Sequence, residues 1–275
     1  MLATIDNQNT AEAIKVRPRP ASAGRIVLLM ADGPLAWSIA NRLKSNFHHV
    51  TIIQEQPETK RAILQRRARI LGWGVALSQA ACGVLLRLLE PTAAGRREAI
   101  CNAAGLDPRP HPGHEVHRVQ SVNSEACCAL LQSLDPAVVA VYGTRIIKPR
   151  TLAAVTAPFI NYHAGINPAY RGQHPAYWAL ANHDAKHAGV TVHLVDAGID
   201  TGEVLYQAPV HFDRLDTILT YQWAQLPVAL PLFERAIEDA QRRCIAPSYV
   251  NLPSAQYFPP TLWTYLQNGL FKGVW

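Results

Sequence analysis

The stretch Phe159–Leu180, FINYHAGINPAYRGQHPAYWAL, decides how the chain is read. It opens as an apolar strand, places an amide at Asn161 and an imidazole at His163, and then breaks into Gly165, Pro168 and Arg171-Gly172. Residues two apart in a strand point to one face, so Asn161 and His163 project together at the strand's carboxyl end. In open α/β sheets ligands gather at that edge. An amide donor beside an imidazole begins an oxyanion-stabilising site. The plainer reading is that both residues cap the strand and satisfy loop backbone.

A second stretch, GVTVHLVDAGIDTGEVLYQAPV at Gly189–Val210, shifts the balance. Another buried strand runs into a loop in which Gly198 and Gly202 bracket Asp200-Thr201. Glycines there let the backbone turn tightly and approach a ligand. A carboxylate on that loop can orient the imidazole and favour its protonated form. Asn161, His163 and Asp200 then form a working set of amide donor, acid or base, and orienting carboxylate.

Working outward, Arg25–Met30 is a continuous apolar run followed by Ala31-Asp32-Gly33-Pro34, a buried strand and a turn. Pro34 suits the first turn of a helix to about Ser45. Val50–Ile53 reads as the second strand. Glu58 to about Glu90 is helical and breaks near Gly72 and Gly74, and Pro91–His117 reads as a long loop with a short helix. Ser124 caps a helix to Leu134. Ala137–Tyr142, Phe159–Tyr162 and Val190–Val195 are further strands, with Glu203–Val210 as an antiparallel edge. Asp216–Arg243 is helical, although Pro227 and Pro231 must kink or interrupt it. Strands alternating with helices predict an α/β fold with a mostly parallel sheet and helices on both faces. Residues 1–23 read as a polar N-terminal arm, 24–250 as one catalytic domain, and 251–275 as a Pro-rich tail too short for another domain.

With 275 residues, 49% hydrophobic and 17% charged, the chain is an ordinary globular one. The net charge of +6 favours anionic partners without choosing among nucleic acid, phosphorylated substrates and polyanionic cofactors. Five irregularly spaced cysteines imply reduced thiols and no zinc site. No signal-peptide core or membrane-length apolar run is visible, so a cytoplasmic protein is expected. Pro112 and Gly113 argue against a helix presenting His111, His114 and His117 to a metal. Lys60, Arg61, Arg66, Arg67 and Arg69 read as a solvated helix in preference to a nucleic-acid face. LLMADGPLAW holds one glycine, which argues against a dinucleotide site.

NYHAGINPAYRG followed by GVTVHLVDAGIDTG resembles the catalytic signature of the 10-formyltetrahydrofolate-dependent formyltransferases, and the resemblance runs over Val138–Val210. It implies a Rossmann-like formyltransferase fold and assigns Asn161, His163 and Asp200 to the catalytic triad. It implies that Thr144, Arg145, Ile146 and Ile147 hold the folate pterin, with Asp196, Ala197, Gly198 and Ile199 closing over the same ring. The implied cosubstrate is 10-formyltetrahydrofolate, with no metal, no nucleic acid and no membrane partner. In the implied reaction an acceptor amine attacks the formyl carbon, and His163 and the Asn161 amide meet the oxyanion.

Departures from the family bear on the acceptor. Asp32 would repel a phosphate and Pro34 removes an amide donor, which disfavours a ribonucleotide at the first turn. The short tail disfavours tRNA, and the short leader cannot make a further regulatory domain. In length and layout the chain is similar to family members that formylate N-hydroxyornithine for pyoverdine siderophores. The best acceptor on this reading is N-hydroxyornithine, with Asp32 as a candidate partner for its ammonium. A sugar N-formyltransferase acting on an amino-sugar nucleotide is the alternative. A basic RNA-binding module without catalysis is the alternative of another class.

Overall fold

The computed structural model describes residues 24–275; the expected arm, residues 1–23, lies outside the described residues. In chain order the elements are β1 (Ile26–Ala31), α1 (Pro34–Asn46), β2 (Val50–Glu55), α2 (Lys60–Leu71), α3 (Trp73–Leu89), α4 (Ala94–Ala104), β3 (Glu115–Val119), α5 (Glu125–Leu134) and β4 (Val138–Tyr142). They continue with α6 (Pro149–Leu152), β5 (Phe159–His163), β6 (Arg171–Gly172), α7 (Pro175–Ala181), β7 (Gly189–Leu194), β8 (Val204–Pro209), α8 (Tyr221–Gln241), β9 (Gln256–Tyr257) and α9 (Leu262–Lys272).

The alternation of β1 sets the layers. Ile26, Leu28 and Met30 pack with α1, α4 and α8, whereas Val27 and Leu29 pack with α5 on the opposite face. One apolar run therefore feeds two cores, as a strand buried on both faces must. The sheet order is β3-β2-β1-β4-β5-β7-β8. The first five strands are parallel, and β7 and β8 each run antiparallel to the strand before them. The expected α/β fold, a mostly parallel sheet with helices on both faces, is the observed one.

Three segments differ from the sequence reading. Pro91–His117 holds its expected helix, as the eleven-residue α4, and also the start of an edge strand, β3, where only loop is expected. Helix α8 runs unbroken through Pro227 and Pro231. Its buried Leu226, Leu230, Phe233 and Ile237 explain why. At about 1.5–3 kcal/mol each, their burial offsets a cost of about 3 kcal/mol per interior proline. The tail also carries structure. Thr261 caps α9 by accepting from the Thr264 amide, and Tyr265 packs in a third cluster with Cys82 of α3 and Tyr177 of α7.

Candidate active site

Asn161 and His163 share the face of β5 that includes Phe159, whereas Ile160 and Tyr162 enter the core under α8. Register places His193 of β7 opposite Asn161 and Thr191 opposite His163. The polar face therefore continues across two strands. Because β7 is antiparallel to β5, its following loop starts beside the beginning of β5, where the Val195 amide bonds the Phe159 carbonyl at 2.8 Å. The loop brings Asp200 back to the pair.

Asp200 is the hub. Its Oδ2 lies 3.5 Å from His163 Nδ1 and its Oδ1 3.6 Å from His193 Nε2. The Gly172 amide donates to Oδ2 at 3.0 Å, and Arg171 holds the loop through the Ile199 carbonyl at 2.9 Å. Asp200 sits at φ 51, a left-handed conformation that aspartate tolerates better than most side chains. Burial pushes its carboxyl up, but His163, His193 and the Gly172 amide outweigh that and bring it to about 2.

The sequence reading missed His193. Its Nδ1 donates to the Leu194 carbonyl at 2.7 Å, which leaves Nε2 to accept from Asn161 Nδ2 at 3.1 Å. That contact fixes the Asn161 amide and leaves its second N–H for a ligand oxygen. The strand alternation that paired Thr191 with His193 was the available signal; the register opposite Asn161 was not. His163 is 7% exposed, and its Nε2 meets the Tyr170 carbonyl at 2.8 Å. Burial pulls its pKa below the ordinary histidine value, opposed by Asp200 and the Tyr170 carbonyl. With Nε2 on the Tyr170 carbonyl, Nδ1, which faces Asp200, is the ring nitrogen His163 has left for a ligand.

The loop Thr144–Ile147 follows β4. Arg145 turns its guanidinium onto buried Glu55 at 2.9 Å and onto the carbonyls of Gln120 and Gln56. Glu55 also accepts from the Arg145 amide at 2.6 Å and the Val122 amide at 3.1 Å. Arg145 thus shapes the loop through an ion pair that its sequence context did not reveal. Thr144 accompanies it, its hydroxyl donating to the Arg145 carbonyl at 3.0 Å.

Ile147 is buried in the cluster against which Val195 packs, so this loop and the 196–199 loop are rooted on one apolar patch. Ile146 is 54% exposed and offers an apolar face. Asp196, Ala197 and Gly198 are exposed and Ile199 is half-buried. Asp196 accepts from the Gly198 amide at 3.0 Å and from the Thr201 hydroxyl at 2.7 Å, which fixes the turn. A Cβ on Gly198 would meet that hydroxyl at 1.9 Å.

The other candidates separate. His111 pairs with Asp107, His114 with Asn41, and His117 with Glu115 on β3. Among the described residues no group of three or more His, Cys, Asp or Glu side chains is placed to hold a metal. All five cysteines are free. Among the described residues no helix is long and apolar enough to cross a membrane. Asp32 accepts from Trp37 Nε1 at 2.8 Å, fastening the start of α1.

A mostly parallel, helix-flanked sheet carrying an amide, two imidazoles and a shared carboxylate defines an α/β protein of the formyltransferase fold. The chain belongs to the formyl transferase family, whose model matches residues 25–225. It is 36% identical over 134 residues to the methionyl-tRNA formyltransferase of Pelotomaculum thermopropionicum, a match over 48% of this chain and 42% of that protein. The chain thus spans under half the length of that relative. In fold it is similar to a sugar N-formyltransferase from Shewanella sp., with TM-score 0.53 and 19% identity over 85% of this chain and 76% of that one. A 4-N formyltransferase from Francisella tularensis is similar at TM-score 0.53 and 13% identity, over 85% of this chain and 76% of that one.

Proposed function

We propose that the protein transfers a formyl group from 10-formyltetrahydrofolate to the amine nitrogen of a small acceptor. The observation that carries this is the convergence of Asp200 on His163 at 3.5 Å and on His193 at 3.6 Å, beside the Asn161 amide. The folate supplies an activated formyl carbon. Thr144–Ile147 and Asp196–Ile199 are the segments that would hold its ring, Arg145 acting by shaping its loop. Asn161 donates its second N–H to the formyl oxygen as charge develops there. His163, kept neutral by burial, takes the proton of the attacking amine at Nδ1 while Asp200 stabilises the resulting imidazolium, and the imidazolium returns that proton to N10 as the formyl C–N10 bond breaks and tetrahydrofolate leaves. His193 holds Asn161 in position.

For the acceptor, an amino-sugar nucleotide is the better reading and N-hydroxyornithine the second. The sugar N-formyltransferases of similar fold support the first. Asp32, the candidate ammonium partner of the second, is engaged by Trp37. The test is product mass spectrometry with 10-formyltetrahydrofolate against amino-sugar nucleotides, N-hydroxyornithine and ornithine. A formylated amino sugar is expected. No formylated product, together with no rise in melting temperature on adding a folate analogue, would overturn the function.

A further inference from the structure

Helix α2 reads from sequence as a solvated basic helix, but the structure divides its arginines. Arg66 pairs with Glu58 at 2.7 Å. Arg67 turns the other way, half-buried, and donates to Gln173 Oε1 at 3.1 Å. Among the ion pairs of the described residues, none gives Arg67 a carboxylate. Burial and neighbouring Arg66 both lower its pKa, as expected of a partly desolvated cation with no counter-charge.

Arg67 lines a cleft of ≈ 370 Å³ between α2–α3 and the segment Gly172–His174. At roughly 30 Å³ per water, that is room for about a dozen water molecules. No carboxylate lines it among the described residues. Gln79 of α3 also lines it and is 3% exposed. Its Nε2 is spent on the Pro259 carbonyl at 2.8 Å, while its buried Oε1 has no partner. The cleft also borders the reacting centre. Gly172 lines it, and the Gly172 amide is the one that holds Asp200 at 3.0 Å.

We infer that this cleft is the anion subsite for the acceptor: it takes the phosphate or carboxylate of a molecule whose amine reaches Asp200, with Arg67 as counter-ion. This deepens the formyl-transfer reading and rests on it. An Arg guanidinium suits either anion, since both offer the two-oxygen edge that its fork meets. A flexible amino acid and a nucleotide sugar are thus two sources of one chemistry.

Calorimetric titration separates them. The probes are an amino-sugar nucleotide, N-hydroxyornithine and inorganic pyrophosphate, each titrated into the full chain and its Arg67→Ala and Arg67→Lys variants. Arg67→Ala should weaken every anionic probe that binds the parent at least 10-fold, and Arg67→Lys should recover part of that. The melting-temperature rise caused by a folate analogue should be unchanged, which also shows that the variants fold. Competition by pyrophosphate identifies a diphosphate source; tight binding of N-hydroxyornithine alone identifies a carboxylate. Equal binding by parent and Arg67→Ala, or no binding of any probe to the parent, overturns the subsite. Absence of the folate response in the parent, together with no formylated product, overturns the formyl-transfer reading instead, and the titrations still report on the cleft.

Discussion

Ile160 and Tyr162 lie on one face of β5, and Asn161 and His163 on the other. The first face sits under α8, where Phe233 and Ile237 leave no solvent contact. The second face is apolar near α5 and turns polar toward β7, where loops replace helices. The Asp200 loop and the Tyr170–Gly172 segment bring backbone donors and acceptors that a helix surface would not offer. A helix covers its strand with side chains and keeps its amides to itself. A loop spends its amides on what lies beneath, so loop-covered strand positions can hold an amide and two imidazoles under a carboxylate that the loop itself supplies.

The largest expected effects divide along these faces. Asp200→Ala should lower turnover at least 100-fold, the scale of losing a proton-transfer partner, while the fold persists. Ile160→Ala should cost about 2–4 kcal/mol of stability in denaturant titration, with near-normal turnover per folded molecule. Reversed outcomes, near-normal turnover from Asp200→Ala and an activity loss from Ile160→Ala at unchanged stability, would end the division of roles.

Much of this division was legible in the sequence because strand alternation is strict. It placed Asn161 and His163 on one side and two apolar residues on the other. The glycine-bracketed Asp200 was equally visible, since glycines on both sides let the loop bring a carboxylate back to the imidazole. His193 was not visible, because its pairing with Asn161 depends on the register of an antiparallel strand, and a lone histidine within GVTVHL reads as core. Glu55 and Arg145 were hidden for a related reason: 90 residues separate them and only the sheet order joins them. The edge strand β3 escaped because Pro108, Pro110, Pro112 and Gly113 just before it mimic loop composition. The α9 cap at Thr261 was readable, but Pro259-Pro260 drew attention to the turn before it.

Acid titration should sharpen the contrast, since the titrating groups gather on the polar side. His174 follows Gly172 and stands at φ 53 just before α7. Burial, then Arg67, lowers its pKa to about 4 from an unfolded value of 6.5. A depressed histidine pKa means that the unfolded chain binds the proton better. Stability is therefore full above 6.5 and falls as the pH drops toward 4, by at most about 3 kcal/mol. Asp200 acts lower: its folded value of about 2 lies below 3.8, so its contribution is intact above 3.8 and fades toward 2. His174→Asn, which keeps a side chain suited to positive φ, should flatten the slope between pH 6.5 and 4 and leave the lower step. An unchanged slope would remove His174 from the account.

A smaller effect is expected at Gly165, which sits beneath the polar face. A Cβ there would lie 2.4 Å from Pro175 Cβ, 2.6 Å from the Tyr170 carbonyl oxygen and 2.8 Å from His163 Nε2. Backbone must move to admit it, and the carbonyl that moves is the one that His163 uses. Gly165→Ala should cost about 1–3 kcal/mol, as overpacking does, and lower turnover beyond what the unfolded fraction explains. Turnover that simply tracks the folded fraction would separate the Tyr170 contact from catalysis.

The smallest effect is expected at the carboxyl end of β1, the other turn that could meet an acceptor. Asp32 is exposed, and its Oδ1 accepts from Trp37 Nε1 at 2.8 Å. Asparagine keeps a carbonyl oxygen at that position and loses only the charge. Asp32→Asn should therefore change stability by less than about 0.5 kcal/mol, as surface substitutions do. If the acceptor lies against Arg67 and Asp200, its KM should also stay within about twofold, because a screened exposed charge contributes little. If instead the acceptor presents an ammonium to the β1 turn, the lost carboxylate raises KM about tenfold for an amino acid while leaving a nucleotide sugar unaffected. Steady-state kinetics with both acceptors decide it. A tenfold rise confined to N-hydroxyornithine would move the acceptor from the α2–α3 cleft to the first turn of the sheet.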